Sequence, residues 1–177
     1  LDFRVTPDVL IPRPETELAV VTVLDLLKLN GSDRPRVVDV GTGSGAIAIA
    51  LAVHAPKCQV TATDASAAAL AVARENATRH AIAARIAFVE GDLLAPLPAE
   101  PTFDVIVSNP PYVAAGDPHL ACGDLRFEPD SALIAGADGL AAIRRIVGQA
   151  SRRLAQDGWL LLEHGRDQGA AVRELFS

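Results

Sequence analysis

At 177 residues, half of them hydrophobic and only 4% aromatic, the chain is long enough for one ordinary domain burying roughly 70% of its unfolded surface. A formal net charge of -6 argues against affinity drawn from neutralising nucleic-acid phosphates. Cys58 and Cys122 lie far apart without ligand spacing, so neither a disulfide framework nor a zinc site is indicated, and reduced thiols are expected.

The opening segment from Phe3 to Glu17 holds three prolines and reads as extended strands or a hairpin leading into a helix. Helix signals begin at Pro14 to Thr16, and Leu18, Val21, Leu24 and Leu29 recur at helical spacing until Asn30-Gly31 stops the pattern. The short apolar run Arg36 to Val40 is followed by Gly41-Thr42-Gly43-Ser44-Gly45 and a helical stretch from Ala46 to Val53. Strand, glycine turn, helix is the order a nucleotide-type site requires: glycines let a ligand approach the backbone, and helix N-terminal amides face its polar groups. A second strand, Gln59 to Thr63, ends at Asp64, about twenty residues past the glycines, where an acid accepts from ribose hydroxyls. Ser66 N-caps the alanine-rich helix that runs from Ala67 to about His80.

A third strand, Ile86 to Glu90, runs into Gly91-Asp92-Leu93, and a fourth, Val105 to Ser108, ends in Asn109-Pro110-Pro111-Tyr112. A helix from about Leu140 to Leu154 precedes a fifth strand, Trp159 to Glu163. Strands alternating with helices predict a doubly wound, mostly parallel sheet with ligands at the carboxyl ends of its strands. Gly41, Asp64, Asp92 and Asn109 all follow strand ends. The scattered histidines, His54, His80, His119 and His164, are assigned no catalytic role. No apolar window is long enough to span a bilayer. With no methionine and an opening in mid-pattern at Leu1, the natural N-terminus and any targeting signal are expected to be missing.

Each proline of the Asn-Pro-Pro-Tyr turn pushes the residue before it out of the α region, so Asn109 and Pro110 are expected to be extended. The Asn109 side-chain oxygen and the Pro110 carbonyl then suit a planar group bringing two N-H donors, with Tyr112 offering a ring face. The glycine loop alone leaves a nicotinamide cofactor formally open, because Gly41, Gly43 and Ala46 satisfy G-x-G-x-x-G/A. A dehydrogenase, however, needs a second mononucleotide-binding half, and a P-loop kinase needs a Gly-Lys-Ser/Thr that is absent here. The alternative is S-adenosylmethionine with methyl transfer to a nitrogen.

The segments Pro12 to Glu17, Asp39 to Ala48, Asn109 to Tyr112, Phe127-Glu128-Pro129 with Ala132-Leu133 and Asp138-Gly139-Leu140, and Glu163-His164-Gly165 with Gln168-Gly169 together resemble the release-factor glutamine N5-methyltransferases, the HemK/PrmC family, over nearly the whole chain. The resemblance implies a Rossmann-like α/β fold of the class I S-adenosylmethionine-dependent methyltransferases, with S-adenosylhomocysteine as product, acting in the cytoplasm. The substrate it implies is a glutamine side-chain amide, that of Gly-Gly-Gln in peptide chain release factors, with no DNA, membrane or metal involved. It places Gly41, Thr42, Gly43, Ser44 and Gly45 at the methionine part of the cofactor, Asp64 at the ribose, and Asp92 and Leu93 at the adenine. Asn109 touches cofactor and substrate; Asn109, Pro110, Pro111 and Tyr112 hold the glutamine, with Asn109, Pro110 and Tyr112 the catalytic group.

Three other readings stand beside this one: an N6-adenine DNA methyltransferase, which shares Asn-Pro-Pro-Tyr; a glutamine methyltransferase acting on a ribosomal protein; and a non-catalytic cofactor-fold module. The family pattern further implies that residues 1–17 lead in from a missing helical domain. Residues 18–177 would form a catalytic domain lacking its last strands, which leaves the edge of the fifth strand open.

Overall fold

The computed structural model of the protein describes residues 1–100, 102–121 and 127–176, and Cys122 lies outside the described residues. Five strands, β1 (Arg36–Val40), β2 (Gln59–Asp64), β3 (Ile86–Glu90), β4 (Phe103–Ser108) and β5 (Leu154–Leu162), form one sheet in the order β3-β2-β1-β4-β5. Every neighbouring pair is parallel. The helices are α1 (Thr16–Asn30), α2 (Ala46–His54), α3 (Ala67–Arg79), the short α4 (Asp130–Leu133), α5 (Ala141–Ala150) and α6 (Gly169–Leu175).

The β-branched runs explain why the sheet is covered on both faces. In β1 and β4 successive side chains alternate sides. Val37, Val105 and Val107 join Val23 of α1 and Ile47 and Leu51 of α2 in one buried cluster. Val38, Val40 and Ile106 join Leu94, Leu97 and Ile146 of α5 in a second cluster on the opposite face. A parallel sheet needs this double cover, since neither face can be left to water. The order reverses between β1 and β4, and the chain leaves the carboxyl end of β1 toward one side of the sheet and of β4 toward the other. A crevice opens between those two ends.

Three local expectations are corrected. Residues 1–13 form no strand or hairpin; the segment is irregular, with a turn near Thr6 to Asp8, because side chains rather than a ladder hold it. Asn76 of α3 accepts from the Arg4 amide and donates to the Arg4 carbonyl, and Val9 is buried against Ala69 and Val72. Helix α5 ends at Ala150 rather than Leu154, and β5 begins at Leu154 rather than Trp159. Its register against β4 shifts between Phe103 and Val105, where Asp157 takes a φ of 60° next to Gly158. That irregularity splits the strand's hydrophobic pattern, so only its second half reads as strand. Helix α4 and the isolated bridge Val113 to Ile134 have no counterpart in the sequence reading.

Candidate active site

The glycine loop follows directly from β1. The amides of Gly41 and Thr42 both donate to the Thr63 carbonyl at 2.9 Å, tying the loop to β2, and the Gly45 amide closes a turn on Thr42. The Gly43 amide donates to Asp64 Oδ2 at 2.9 Å, and the Ser66 amide to Asp64 Oδ1 at 2.9 Å. Asp64 therefore braces the loop while keeping unused lone pairs on both oxygens. Among the described residues, the loop amides that have no protein acceptor are those of Ser44, Ala46 and Ile47 at the start of α2. The Ser44 carbonyl is held from behind by Asn76 Nδ2 at 2.9 Å.

Beneath the loop, Asp39 is buried, and its Oδ2 accepts from Thr42 Oγ1 at 2.6 Å and from the Ala48 amide at 3.1 Å. Its Oδ1 has no partner among the described residues. Burial pushes its carboxyl up to about 7 against these two donors, with the nearby Asp64 charge adding to the rise.

The end of β4 is fixed just as closely. Ser108 donates its hydroxyl to the Val40 carbonyl at 2.6 Å, joining the two strand ends that flank the crevice. Asn109 Nδ2 donates to Thr16 Oγ1 at 3.1 Å, and Thr16 Oγ1 donates to Glu163 Oε2 at 2.9 Å. Burial, followed by the nearby Glu163 charge, raises the Tyr112 hydroxyl above its ordinary value, so it stays protonated. Gln168 Nε2 donates to the Tyr112 carbonyl at 2.9 Å while its Oε1 accepts from the Gly165 amide. Gly139 lies against the same carbonyl with φ 73°; a Cβ there would sit 2.3 Å from it. The segments Asp138-Gly139-Leu140, Glu163-His164-Gly165 and Gln168 thus converge around one turn.

Between these strand ends lies a cavity of about 570 Å³, within the range of small-molecule sites. Gly41, Thr42, Gly43, Ser44, Asp64, Asp92, Leu93, Asn109 and Pro111 all line it. Gly45, Pro110 and Tyr112 do not. Gly45 is the cap residue of α2, Pro110 is buried, and Tyr112 packs with Leu140, Ile143 and Val172. Tyr112 is half-buried against that cluster, with the Glu163 charge near its hydroxyl. Asp92 pairs with Arg145 of α5, which also lines the cavity.

Sequence reasoning missed several contributors. Val9, Leu10 and Pro12 form one wall, Thr16 reaches in from α1, and Ile134 and Ala135 close the far side. Periodicity gives no signal for Val9, because its burial depends on α3 rather than on its own pattern. Arg13 shows what holds that wall: its Nη2 sits 2.7 Å from Glu128 Oε1 and 2.9 Å from Oε2. Cys58 lies elsewhere, buried, and burial pushes its thiol up to about 12, which keeps it protonated.

Chemically the cavity combines three backbone amides without an acceptor among the described residues, carboxylates with lone pairs to spare, apolar walls, and a neutral side-chain oxygen at a strand end.

Residues 17–125 match the family model described as methyltransferase small domain. The chain is similar to the release factor glutamine methyltransferase of Bordetella pertussis, 56% identical over 98% of this chain and 63% of that protein. It is 52% identical to the protein of that description from Pseudomonas aeruginosa and 46% to that from Salmonella typhimurium, over 99% of this chain and 62% of each. The chain thus spans less than two thirds of the length of these curated relatives. Among solved structures, the hMettl16 catalytic domain in complex with a MAT2A 3'UTR hairpin superposes with a TM-score of 0.75 at 20% identity, over 99% of this chain and 64% of that one. The N-terminal domain of human METTL16 in complex with SAH gives 0.66 at 22%, over 98% and 65%. The ribosomal protein L11 methylase of Lactobacillus delbrueckii gives 0.62 at 25%, over 92% and 67%. The parallel α/β architecture is that of the class I methyltransferases.

Proposed function

The chain belongs to the methyltransferase small domain family, and on that premise we propose that it transfers a methyl group from S-adenosylmethionine to the side-chain amide nitrogen of a protein glutamine. The substrate we assign is the Gly-Gly-Gln glutamine of peptide chain release factors, in the cytoplasm, in keeping with the relatives' names. One observation carries the reading. Asn109 commits an Nδ2 N-H to Thr16, which leaves its side-chain oxygen, an acceptor with no partner among the described residues, for the cavity at the end of β4.

The cavity residues suit the methyl donor. The Ser44, Ala46 and Ile47 amides fit a carboxylate at a helix N-terminus, and Asp64 retains acceptor capacity for ribose hydroxyls. Leu93, Ile134 and Ala135 supply an apolar slot for a base, with Asp92 at its rim. Bound S-adenosylmethionine supplies a sulfonium-activated methyl group and leaves as S-adenosylhomocysteine.

The chain's own task is to make a poor nucleophile adequate. An amide nitrogen has its lone pair delocalised into the carbonyl, and an acceptor for each of its N-H bonds holds that lone pair toward the incoming methyl carbon. Asn109 Oδ1 is one acceptor and the Pro110 carbonyl is assigned as the other. Both stabilise positive charge as it develops on nitrogen, which is positioning plus electrostatic preorganisation. The nitrogen turns acidic only as the new bond forms, so no strong base is needed beforehand. The net charge of -6 fits a protein substrate better than DNA.

The test is methyl transfer by the full-length protein from radiolabelled S-adenosylmethionine to a release factor bearing Gly-Gly-Gln, beside the same factor with that glutamine replaced by alanine. Label on the first and not the second is expected. Label on duplex DNA in place of the release factor would overturn the assignment.

A further inference from the structure

Asn109 is chemically ambiguous in a way that matters. Its side chain carries an acceptor and a donor of nearly the same shape, related by a half turn. Only one orientation offers an acceptor to a substrate -NH2. The neighbours decide which.

Glu163, at the end of β5, is a carboxylate and can only accept. Thr16 has one hydroxyl proton, and it points to Glu163 Oε2 at 2.9 Å. The Thr16 oxygen therefore has only lone pairs left for Asn109, and it receives the Asn109 Nδ2-H at 3.1 Å. Three elements are involved: Thr16 in the first turn of α1, Asn109 after β4, and Glu163 after β5. Thr16 is buried, so water does not compete for its oxygen. Among the described residues, Asn109 Oδ1 accepts no hydrogen bond.

We propose that Thr16 and Glu163 are positioning residues for the methyl transfer: Glu163 sets the direction of the Thr16 hydroxyl, and Thr16 locks the Asn109 amide with its oxygen toward the cavity. This rests on the function assigned above. Reversing the polarity at one end reverses the series. A glutamine at 163 that turns its Nε2 to Thr16 donates to it, Thr16 then donates to Asn109 Oδ1, and Asn109 presents -NH2 to a substrate that also brings -NH2.

The experiment compares wild type, Thr16→Val, Thr16→Ser, Glu163→Gln and the double variant Thr16→Val/Glu163→Gln in the full-length protein. Turnover, S-adenosylmethionine affinity and melting temperature are measured on each. Loss of about tenfold or more in kcat is expected for Thr16→Val and Glu163→Gln, smaller than for removing a preorganised group outright. Thr16→Ser retains kcat within about threefold, and cofactor affinity and melting temperature of Glu163→Gln stay near wild type. Because both residues act through one amide, the double variant falls no further than the worse single one. Losses that multiply, or wild-type turnover in Thr16→Val, would overturn the proposal.

A second readout needs no turnover. In protein labelled with ¹⁵N-asparagine, the Asn109 side-chain N-H protons exchange slowly in wild type and Thr16→Ser. In Thr16→Val they exchange faster by about tenfold or more, as protection is lost. Unchanged exchange overturns the series even if no methylation is detected. Slow exchange in a wild-type protein that does not methylate glutamine defeats the functional assignment alone.

Discussion

Arg13 Nη2 meets both carboxylate oxygens of Glu128, at 2.7 and 2.9 Å, across 115 residues of sequence. The Ile11 amide donates to the same Oε1 at 3.3 Å. This pair clamps the wall formed by Leu10 and Pro12 to the segment before α4. Glu128 has only 2% of its side chain exposed and Arg13 29%, so the pair is largely shielded. Glu128→Ala is expected to lower unfolding free energy by about 2–4 kcal/mol, toward the lower end because Arg13 keeps some water. Urea unfolding checks this, and an unchanged midpoint would show that the wall is held by packing alone.

Removing the acceptor should separate chemistry from binding. Asn109→Ala is expected to cost on the order of a hundredfold in kcat, by comparison with loss of one preorganised hydrogen-bonding group. Cofactor affinity should change far less. Near wild-type methylation would remove Asn109 from the reaction.

Asp64 divides the other way. Its two oxygens already hold the Gly43 and Ser66 amides, so Asp64→Ala loses both the ligand's acceptor and the brace of the loop. A fall in S-adenosylmethionine affinity of about tenfold or more, equivalent to ~1.4 kcal/mol, is expected by titration calorimetry. Affinity equal to wild type would take Asp64 out of the site.

Asp39 gives the fold a pH dependence of unusual sign for a carboxylate. Its folded pKa is raised from 3.8 to about 7, so between those values the unfolded chain has released a proton that the native state still holds. This contribution is fully present below about pH 4, declines as pH rises toward 7, and is gone above it. Asp39→Asn should flatten that slope. Denaturation midpoints collected from pH 4 to 8 test it, and identical slopes for the two proteins would mean that Asp39 is ionised throughout.

The sheet was readable because its signals are local. Val37 to Val40 and Val105 to Ser108 are β-branched runs closed by glycine or proline, and the alternation of strands and helices fixed the parallel order. Glycine 41, Asp64, Asp92 and Asn109 were legible as strand-end residues for the same reason. Thr16 was not, because nothing in the first turn of a helix announces that its hydroxyl will lie between Asn109 and Glu163. The packing of Tyr112 was not legible either, because the cluster it meets, Leu140, Ile143 and Val172, comes from later in the chain. The start of β5 was hidden by the irregular turn at Asp157 and Gly158.

Gly45 caps α2 with φ 85°, and a Cβ there would lie 2.9 Å from Ile49 Cδ1 and 3.1 Å from the Cβ of Ala73. The first turn of α2 thus rests on α3 with scarcely a methyl group between them. A residue as small as valine at 73 would act as a wedge, prising α3 outward and carrying Ser66 and Asp64, at its head, away from the Gly43 amide. The alanine-rich composition of α3 is in this sense a machining tolerance: it sets the gap across which the loop and the acid that ends β2 face a ligand.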